Sequence, residues 1–245
     1  MSSETIGFVG DGWGALSAIK SLKKLFTVHY ISNDKDVINE ISSEKGSCRI
    51  KELIDFNVKI VVFAGKNQII PKEFILKHTA INVHYSLLPK YRGLHSVAWA
   101  IINGEKRLGL SVHLMTEFID DGPVIFQKAF INDKKLSATK YMVLMNKFIE
   151  HNLGEIVMKY IKNQLVPIPQ NKNAASWVSK RGSKHNFIDF NQSYVNIERL
   201  FRVLNPPYPY PKIRYNEKIY SVKKINFHNS DTISDISRIL NVDED

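Results

Sequence analysis

The chain has 245 residues, of which 44% are hydrophobic, and its one cysteine is Cys48. This length supports one large domain or one domain with a small appendage, and the apolar fraction is ample for a core. No apolar run approaches the roughly 20 residues of a membrane-spanning helix. The first residues, MSSETIGFVGDGWG, lack the pattern of a secretion signal. With disulfides and cysteine-rich metal sites excluded, we expect a cytoplasmic protein.

Basic residues dominate the charge balance. Lys and Arg outnumber Asp and Glu by 34 to 24, which gives a formal charge of +10. Such a balance favours an anionic partner, such as nucleic acid, a phosphorylated small molecule or an acidic surface. The lysines are spread along the chain rather than clustered, so a solvated surface accounts for them equally well.

Strand-like apolar runs alternate with helical patterns through the first half of the chain. Strands are predicted at residues 5–10, 27–31, 59–64, 80–84, 108–115 and 123–131. Helices are predicted at residues 14–25, 71–78, 96–103 and 137–162. This alternation predicts an α/β fold with βαβ units, a Rossmann-like arrangement in which the sheet is mainly parallel.

The composition changes after a connector, QLVPIPQNKNAASW, which contains prolines and asparagines. Residues 194–204 have a helical pattern, and KIRY and KIYSVKKINF form a predicted hairpin. We therefore predict a main domain over residues 1–180 and a small C-terminal unit, a helix with a β-hairpin, over residues 181–245. Because a lone two-stranded hairpin is marginally stable and exposes its edges, we expect it to pair with a second copy in a homodimer.

The N-terminal turn GDGWGA matches a short form of the dinucleotide fingerprint. It follows a predicted strand and opens a helix, and Asp34 lies about twenty residues further on. An NAD-dependent oxidoreductase is therefore one hypothesis. A tight strand-to-helix turn needs the same glycines without any ligand, and the bulky Trp13 suits stacking better than a bare phosphate cradle. Another ligand or no ligand therefore explains the motif as well.

The segment INVHYSLLPKYRG, residues 81–93, carries the strongest functional signal. Asn82 and His84 point to the same face of a strand end, about 7 Å apart, where open α/β sheets bind ligands. An amide can donate to a developing oxyanion, and an imidazole can move protons. The loop IDDG, residues 119–122, offers a carboxylate to orient the imidazole. The competing interpretation is a structural histidine, which is how His113 is interpreted inside the apolar run LSVHLM.

The pattern N-x-H, then SLLPKYRG, then a D-x-G loop resembles the core signature of the formyltransferases that use N10-formyltetrahydrofolate. The resemblance covers the first strand to about residue 131 and, more weakly, the C-terminal unit. It implies that Asn82, His84 and Asp120 are the catalytic residues, with Asp121 the less favoured acid. It also implies acyl transfer without a covalent enzyme intermediate and without a metal.

In this family the reduced folate lies in a slot made by backbone groups of two loops. Carried onto this chain, the resemblance implies a cofactor-binding set made of Gln68, Ile69, Ile70, Thr116, Glu117, Phe118 and Ile119.

The C-terminal unit most resembles that of sugar N-formyltransferases, particularly those that formylate dTDP-4-amino-4,6-dideoxyglucose for surface polysaccharide (O-antigen) synthesis. The expected partner is then a nucleotide-linked amino sugar, with neither nucleic acid nor membrane bound. A methionyl-tRNA formyltransferase is the alternative within the family, although residues 31–50 lack the basic insertion expected of it. Candidate residues for the nucleotide and its phosphates are Trp13, Lys66, Tyr208 and Tyr210.

Overall fold

A computed structural model describes residues 4–41, 58–66 and 70–225. The strands in these residues are β1 (Glu4–Gly10), β2 (Phe26–Ile31), β3 (Ile60–Ala64), β4 (Thr79–His84), β5 (Arg92–Gly93), β6 (Arg107–Leu114), β7 (Val124–Ile131), β8 (Trp177–Val178), β9 (Lys212–Tyr215) and β10 (Lys218–Ser221). The α-helices are α1 (Gly12–Leu22), α2 (Lys35–Ile41), α3 (Lys72–Lys77), α4 (Ser96–Ile102), α5 (Ala138–Ile161) and α6 (Tyr194–Val203).

The main sheet of the described residues has the strand order β2-β1-β3-β4-β6-β7. The first four strands run parallel, while β6 and β7 are antiparallel to their neighbours. The central strand β3 reads IVVFA and is buried along nearly its whole length, as expected of a strand covered on both faces. The predicted α/β fold with a mainly parallel sheet is confirmed, and each predicted strand of this sheet is present.

Helices α1 and α5 pack closely against each other and cover the sheet. Gly154 of α5 faces the backbone of α1, where a Cβ atom would lie 2.7 Å from the carbonyl oxygen of Ser21. The Gly154 N–H also donates to the Ser21 hydroxyl at 3.0 Å. The close approach of the two backbones thus requires the missing side chain at residue 154. None of the described helices is long and apolar enough to span a membrane.

The C-terminal helix and hairpin have a small core of their own and dock on the main domain. Ile188, Ile197 and Ile213 form that core. Arg202 of α6 is buried. Its guanidinium donates to the carbonyl oxygens of Leu136 and Asp133 and to the side-chain oxygen of Asn132. The predicted hairpin is confirmed as β9 and β10. The domain boundary at residues 180–181 stays a prediction.

The connector before this unit is anchored to the main domain. Its strand β8 pairs in parallel with β5, directly after the SLLPKY segment. The Val124 and Ile168 backbones also form a bridge at the start of β7. The connector therefore lies against the loops that follow β4 and β6.

Candidate active site

Asn82 and His84 lie at the C-terminal end of β4, as the strand pattern predicts. Neighbouring β6 is antiparallel to β4, and its residue His113 stands directly opposite Asn82. Residues that face each other in register project to the same side of the sheet. Three polar side chains therefore meet at one end of the sheet.

Asp120 completes the cluster from the loop between β6 and β7. Its Oδ2 lies 3.4 Å from His84 Nδ1 and accepts the Gly93 N–H at 2.9 Å. Its Oδ1 accepts from Asn82 Nδ2 at 3.3 Å and lies 3.4 Å from His113 Nε2. Asp120 has a φ of +50°, a left-handed conformation that few residues other than glycine adopt. This conformation places the carboxylate between the two histidines.

The hydrogen bonds of His84 fix its protonation pattern. Its Nε2 lies 2.9 Å from the carbonyl oxygen of Tyr91, which can only accept, so Nε2 carries a proton. In the neutral imidazole the lone pair is then on Nδ1, which faces Asp120. Nδ1 is therefore the atom that can take up a proton, and the carboxylate is placed to stabilise the resulting cation.

The interpretation of His113 as a merely packed histidine is incomplete. It is buried, but its Nε2 lies 3.2 Å from Asn82 Nδ2 and its Nδ1 lies 2.7 Å from the Leu114 carbonyl oxygen. Since that carbonyl can only accept, Nδ1 of His113 carries a proton, and Nε2 faces both the Asn82 amide and the Asp120 carboxylate. The pairing of β4 with β6 creates this contact. Residue spacing in the sequence does not reveal which strands pair.

Burial and charge set the protonation states of His84 and Asp120. Burial lowers the pKa of His84 below its usual 6.5, although the Asp120 charge and the Tyr91 carbonyl act in the opposite direction. Burial alone would raise the pKa of Asp120. The hydrogen bond with His113, the charges of both histidines and the Gly93 N–H outweigh it and bring that pKa to about 2. At neutral pH the cluster therefore holds a neutral His84 beside an ionised Asp120.

Asp121 is separated from His84 by its own partner. Its Oδ1 forms an ion pair with Arg92 Nη1 at 2.5 Å, and the side chain of Arg92 is only 3% exposed. The Arg92 guanidinium also lies over the Trp177 ring, 5.2 Å from the centroid. Arg92, near the end of the SLLPKYRG segment, thus holds Asp121. The acid that faces His84 is Asp120.

The predicted folate-binding residues fall into three groups. Gln68 and Ile69 lie outside the described residues, as does Cys48. Ile70 is buried in a small apolar cluster with Phe74 and others of the core. The remaining four are in the loop that leads to Asp120.

That loop presents an apolar surface beside the cluster around Asp120. Phe118 and Ile119 are 65% and 61% exposed. Glu117 pairs with Lys72 Nζ at 2.6 Å, and the Thr116 hydroxyl lies 3.3 Å from both the N–H and the carbonyl oxygen of Phe118. Two exposed apolar side chains directly before Asp120 suit the face of a flat heterocycle such as a pterin.

The glycine-rich turn after β1 is occupied by the protein's own carboxylates. Asp34 Oδ2 accepts the Gly12 N–H at 2.8 Å, and Asp11 Oδ1 accepts the Asn33 N–H at 2.7 Å. Lys66 Nζ pairs with Asp11 Oδ2 at 2.8 Å, and its side chain is 8% exposed. Two carboxylates at the turn oppose a dinucleotide pyrophosphate, and a substrate phosphate would compete with Asp11 for Lys66. Trp13 is 56% exposed at the start of α1.

The two tyrosines of the C-terminal unit lie between α6 and β9. Tyr208 is 47% exposed and Tyr210 is half-buried. No group of three or more His, Cys, Asp and Glu side chains in the described residues could hold a metal ion.

An imidazole held between a carboxylate and a carbonyl, next to an amide, can accept a proton and stabilise a developing negative charge. Such a set of groups suits an enzyme that transfers a chemical group.

A family model described as "Formyl transferase" matches residues 21–155. The chain is 31% identical over 215 residues to a methionyl-tRNA formyltransferase of Clostridium novyi, covering 86% of this chain and 69% of the relative. It spans 65% of the corresponding protein of Clostridioides difficile, at 32% identity over 203 residues.

Solved structures share the fold over most of the chain. A 4-N formyltransferase from Francisella tularensis superposes with a TM-score of 0.75 at 18% identity, covering 91% of this chain and 99% of that one. HypX from Aquifex aeolicus in complex with tetrahydrofolic acid gives a TM-score of 0.66 at 15% identity, with 87% of this chain and 36% of that one covered. The chain belongs to the formyltransferase family, whose enzymes transfer a formyl group from N10-formyltetrahydrofolate.

Proposed function

We propose that the protein transfers the formyl group of N10-formyltetrahydrofolate to the amine of a nucleotide-linked amino sugar. The expected acceptor is dTDP-4-amino-4,6-dideoxyglucose, as used in O-antigen synthesis. The observation that carries the transfer step is the buried cluster in which Asp120 contacts both Asn82 and His84. This cluster stands directly beside the exposed apolar loop that suits a pterin.

His84 is the proposed proton acceptor. When the acceptor amine attacks the formyl carbon, it must lose a proton. The tetrahedral intermediate then collapses as the bond from that carbon to N10 breaks, and N10 takes up a proton to leave as tetrahydrofolate. The Tyr91 carbonyl holds the proton of Nε2, so the proton lost by the amine ends on Nδ1 of His84. Asp120, 3.4 Å away, stabilises the imidazolium and keeps the ring oriented, without needing to become protonated itself.

Asn82 is the proposed donor to the formyl oxygen, on which negative charge develops during attack. Its Nδ2 hydrogen bonds to Asp120 and His113 are long, at 3.3 and 3.2 Å. Long bonds of this kind are weak, so the amide can turn one N–H to a more strongly negative oxygen. Removing a single such donor from an oxyanion site costs about 10²–10³ in kcat in well-studied enzymes.

The case for a nucleotide-linked sugar rests on charge and size. A diphosphate needs only one or two cations, and Arg181 is a candidate, because its backbone N–H donates to His95 Nδ1 at 3.1 Å. His95 is two residues from Gly93, whose N–H is bound to Asp120. The guanidinium of Arg181 donates through Nη2 to the His185 carbonyl oxygen, while the buried Nε and Nη1 atoms have no hydrogen-bond partner in the described residues. A tRNA instead requires a continuous basic surface, and the lysines here are dispersed.

Solved sugar N-formyltransferases are among the structures that share the fold. The chain covers 99% of a sugar N-formyltransferase structure from a Shewanella species, with a TM-score of 0.71 at 18% identity. After the connector, the described residues form a helix followed by a hairpin. The sequence identity to methionyl-tRNA formyltransferases keeps charged initiator tRNA as the second candidate acceptor.

Formyl transfer to dTDP-4-amino-4,6-dideoxyglucose is expected to be faster than transfer to charged initiator tRNA. Both acceptors should be tested at matched concentration and physiological salt, because binding of a polyanion weakens steeply as salt increases. Product formation is followed by mass spectrometry. The variant His84→Ala serves as the control for uncatalysed transfer. Faster formylation of the tRNA would overturn the choice of acceptor while leaving the formyltransferase assignment intact.

A homodimer through the C-terminal hairpin is part of the proposal. Among the described residues β10 pairs only with β9, and Tyr215 and Ile219 of the hairpin are 50% and 55% exposed. An open edge with apolar side chains is a template for a second strand. Light scattering at tens of micromolar should give the mass of a dimer, and Ile219→Lys should shift it towards the monomer. A wild-type monomer at that concentration contradicts this part.

A further inference from the structure

Residues 170–178, here called the strap, cross the two loops that hold the partners of His84. The end of the strap, β8, pairs in parallel with β5. The Arg92 N–H donates to the Ser176 carbonyl oxygen at 2.9 Å. Gly93 has a φ of +99°, and a Cβ atom there would lie 2.3 Å from the carbonyl oxygen of Val178. The strap thus rests directly on the backbone that donates to Asp120.

Gln170 uses its whole amide to fix the loop around Asp121. Its Nε2 donates to the carbonyl oxygens of Asp120 at 2.8 Å and Gly122 at 2.7 Å. Its Oε1 accepts from Arg92 Nε at 3.2 Å and Nη2 at 2.7 Å. The same guanidinium pairs with Asp121. One side chain therefore holds the carbonyl groups of the residues before and after Asp121 and connects them to the buried Arg92.

These contacts act on residues that cannot keep their geometry alone. The left-handed conformation of Asp120 is unfavourable for a residue with a side chain and persists only where the surroundings impose it. On the other side of the imidazole, the Ser176 hydroxyl accepts the N–H of Tyr91 at 2.9 Å. The carbonyl of Tyr91 is the partner of His84 Nε2. The strap therefore supports both hydrogen-bond partners of His84.

We propose that Gln170 is a positioning residue for formyl transfer. Through the carbonyl oxygens of Asp120 and Gly122, it holds the Asp120 carboxylate at Nδ1 of His84. The proposal rests on the proposed roles of His84 and Asp120 and is independent of which amine is formylated. Gln170 does not touch the reacting atoms, so its loss should change the orientation of the proton acceptor rather than the binding of substrates.

Two variants separate the contacts of Gln170. Gln170→Glu keeps an acceptor for Arg92 but cannot donate to the two carbonyl oxygens, and Gln170→Ala removes both kinds of contact. Both are expected to lower kcat by about 10- to 100-fold, because a displacement of about 1 Å at a reacting centre has an effect of this size. The KM values should change little. Gln164→Ala, at an exposed glutamine earlier in the connector, is the matched control and should behave as wild type.

A second readout needs no substrate. The imidazole of His84 is titrated by NMR, its signal being the one absent from His84→Ala. The groups that face this ring are the Asp120 carboxylate, the Tyr91 carbonyl and His113. Since the Asp120 charge raises the pKa of His84, displacement of that carboxylate should move the titration of His84 to lower pH in Gln170→Ala, which adds no charge of its own. Gln164→Ala should leave it in place.

Several results would overturn the proposal: an unchanged titration with unchanged kcat, an effect confined to KM, or the unfolding of both Gln170 variants by circular dichroism. Unfolding would mean that Gln170 serves the fold as a whole. If the wild-type protein formylates no acceptor but the titration of His84 still shifts to lower pH in Gln170→Ala, the proposed function fails and the positioning role stands.

Discussion

Replacement of His84 by alanine is expected to lower kcat by about 10²–10⁴-fold, the usual contribution of a general acid–base residue. The imidazole is the group whose free lone pair, on Nδ1, faces a carboxylate that can stabilise the added proton. Without it, the attacking amine must lose its proton to water. Steady-state kinetics with N10-formyltetrahydrofolate and the best acceptor measure the effect.

The variant should remain folded. Asp120 keeps its bonds from Gly93 and Asn82 after the imidazole is removed, so the carboxylate is not left without donors. The Tyr91 carbonyl loses its partner, which costs about 1–3 kcal/mol. His151→Ala, at an exposed histidine of α5, is the matched control and should retain wild-type kcat. Near-normal turnover in folded His84→Ala would refute the role assigned to this residue.

The pH dependence follows from the same residue. Only neutral His84 can accept a proton, and burial keeps its pKa below 6.5 in the folded protein. Activity should therefore persist at pH 6.5 and fall only at lower pH. As the pH falls below 6.5, His84 is protonated more readily in the unfolded chain than in the folded protein. This residue therefore makes the stability of the fold decrease as the pH falls.

The strand pattern predicted Asn82 and His84 correctly as neighbours because the alternation of side chains along a strand is a local property. The sheet itself could be predicted for a similar reason, since its apolar runs and intervening helices are each specified by short segments. Asp120 was assigned differently. Spacing alone left two adjacent acids, and the family resemblance favoured the first. The structure places that first acid against His84 and the second against Arg92.

His113 and Gln170 could not be assigned from local pattern. His113 has the same alternating neighbours as any buried strand residue, and its contact with Asn82 depends on the register of two strands. Gln170 lies in a connector with the composition of a loop, about fifty residues from Asp120. Its two donor bonds depend on how the connector returns across the sheet. Such contacts are set by tertiary packing, which a single sequence does not display.

The glycine-rich turn shows the opposite situation, in which a motif is present but its usual ligand is opposed. The pattern GDGWGA is satisfied, yet the N–H of Gly12 is bound to Asp34 and Asp11 is bound to Lys66. Asp34 lies at the spacing that the dinucleotide fingerprint requires, although it binds the turn itself. The spacing therefore cannot distinguish a ribose contact from an internal cap, whereas the hydrogen bonds can.

Replacement of Asp120 by asparagine is the sharpest test of the site, because the two side chains have nearly the same shape. We expect kcat to fall by about 10²–10⁴-fold, since an amide cannot stabilise the imidazolium that forms on His84. Loss of the carboxylate charge also removes the interaction that raises the pKa of His84. The acid limb of the kcat profile should therefore move to lower pH even as the rate falls.

Asp121→Asn provides the comparison within the same loop. Asp121 contacts Arg92 rather than His84, so its replacement should affect kcat less and should leave the ionised Asp120 in the cluster. Kinetics of both variants across the pH range, with circular dichroism to confirm folding, separate the two acids. A larger loss in Asp121→Asn than in Asp120→Asn would assign the catalytic carboxylate to Asp121. It would require the loop to rearrange when substrates bind, because Arg92 holds Asp121 away from His84 in the structure.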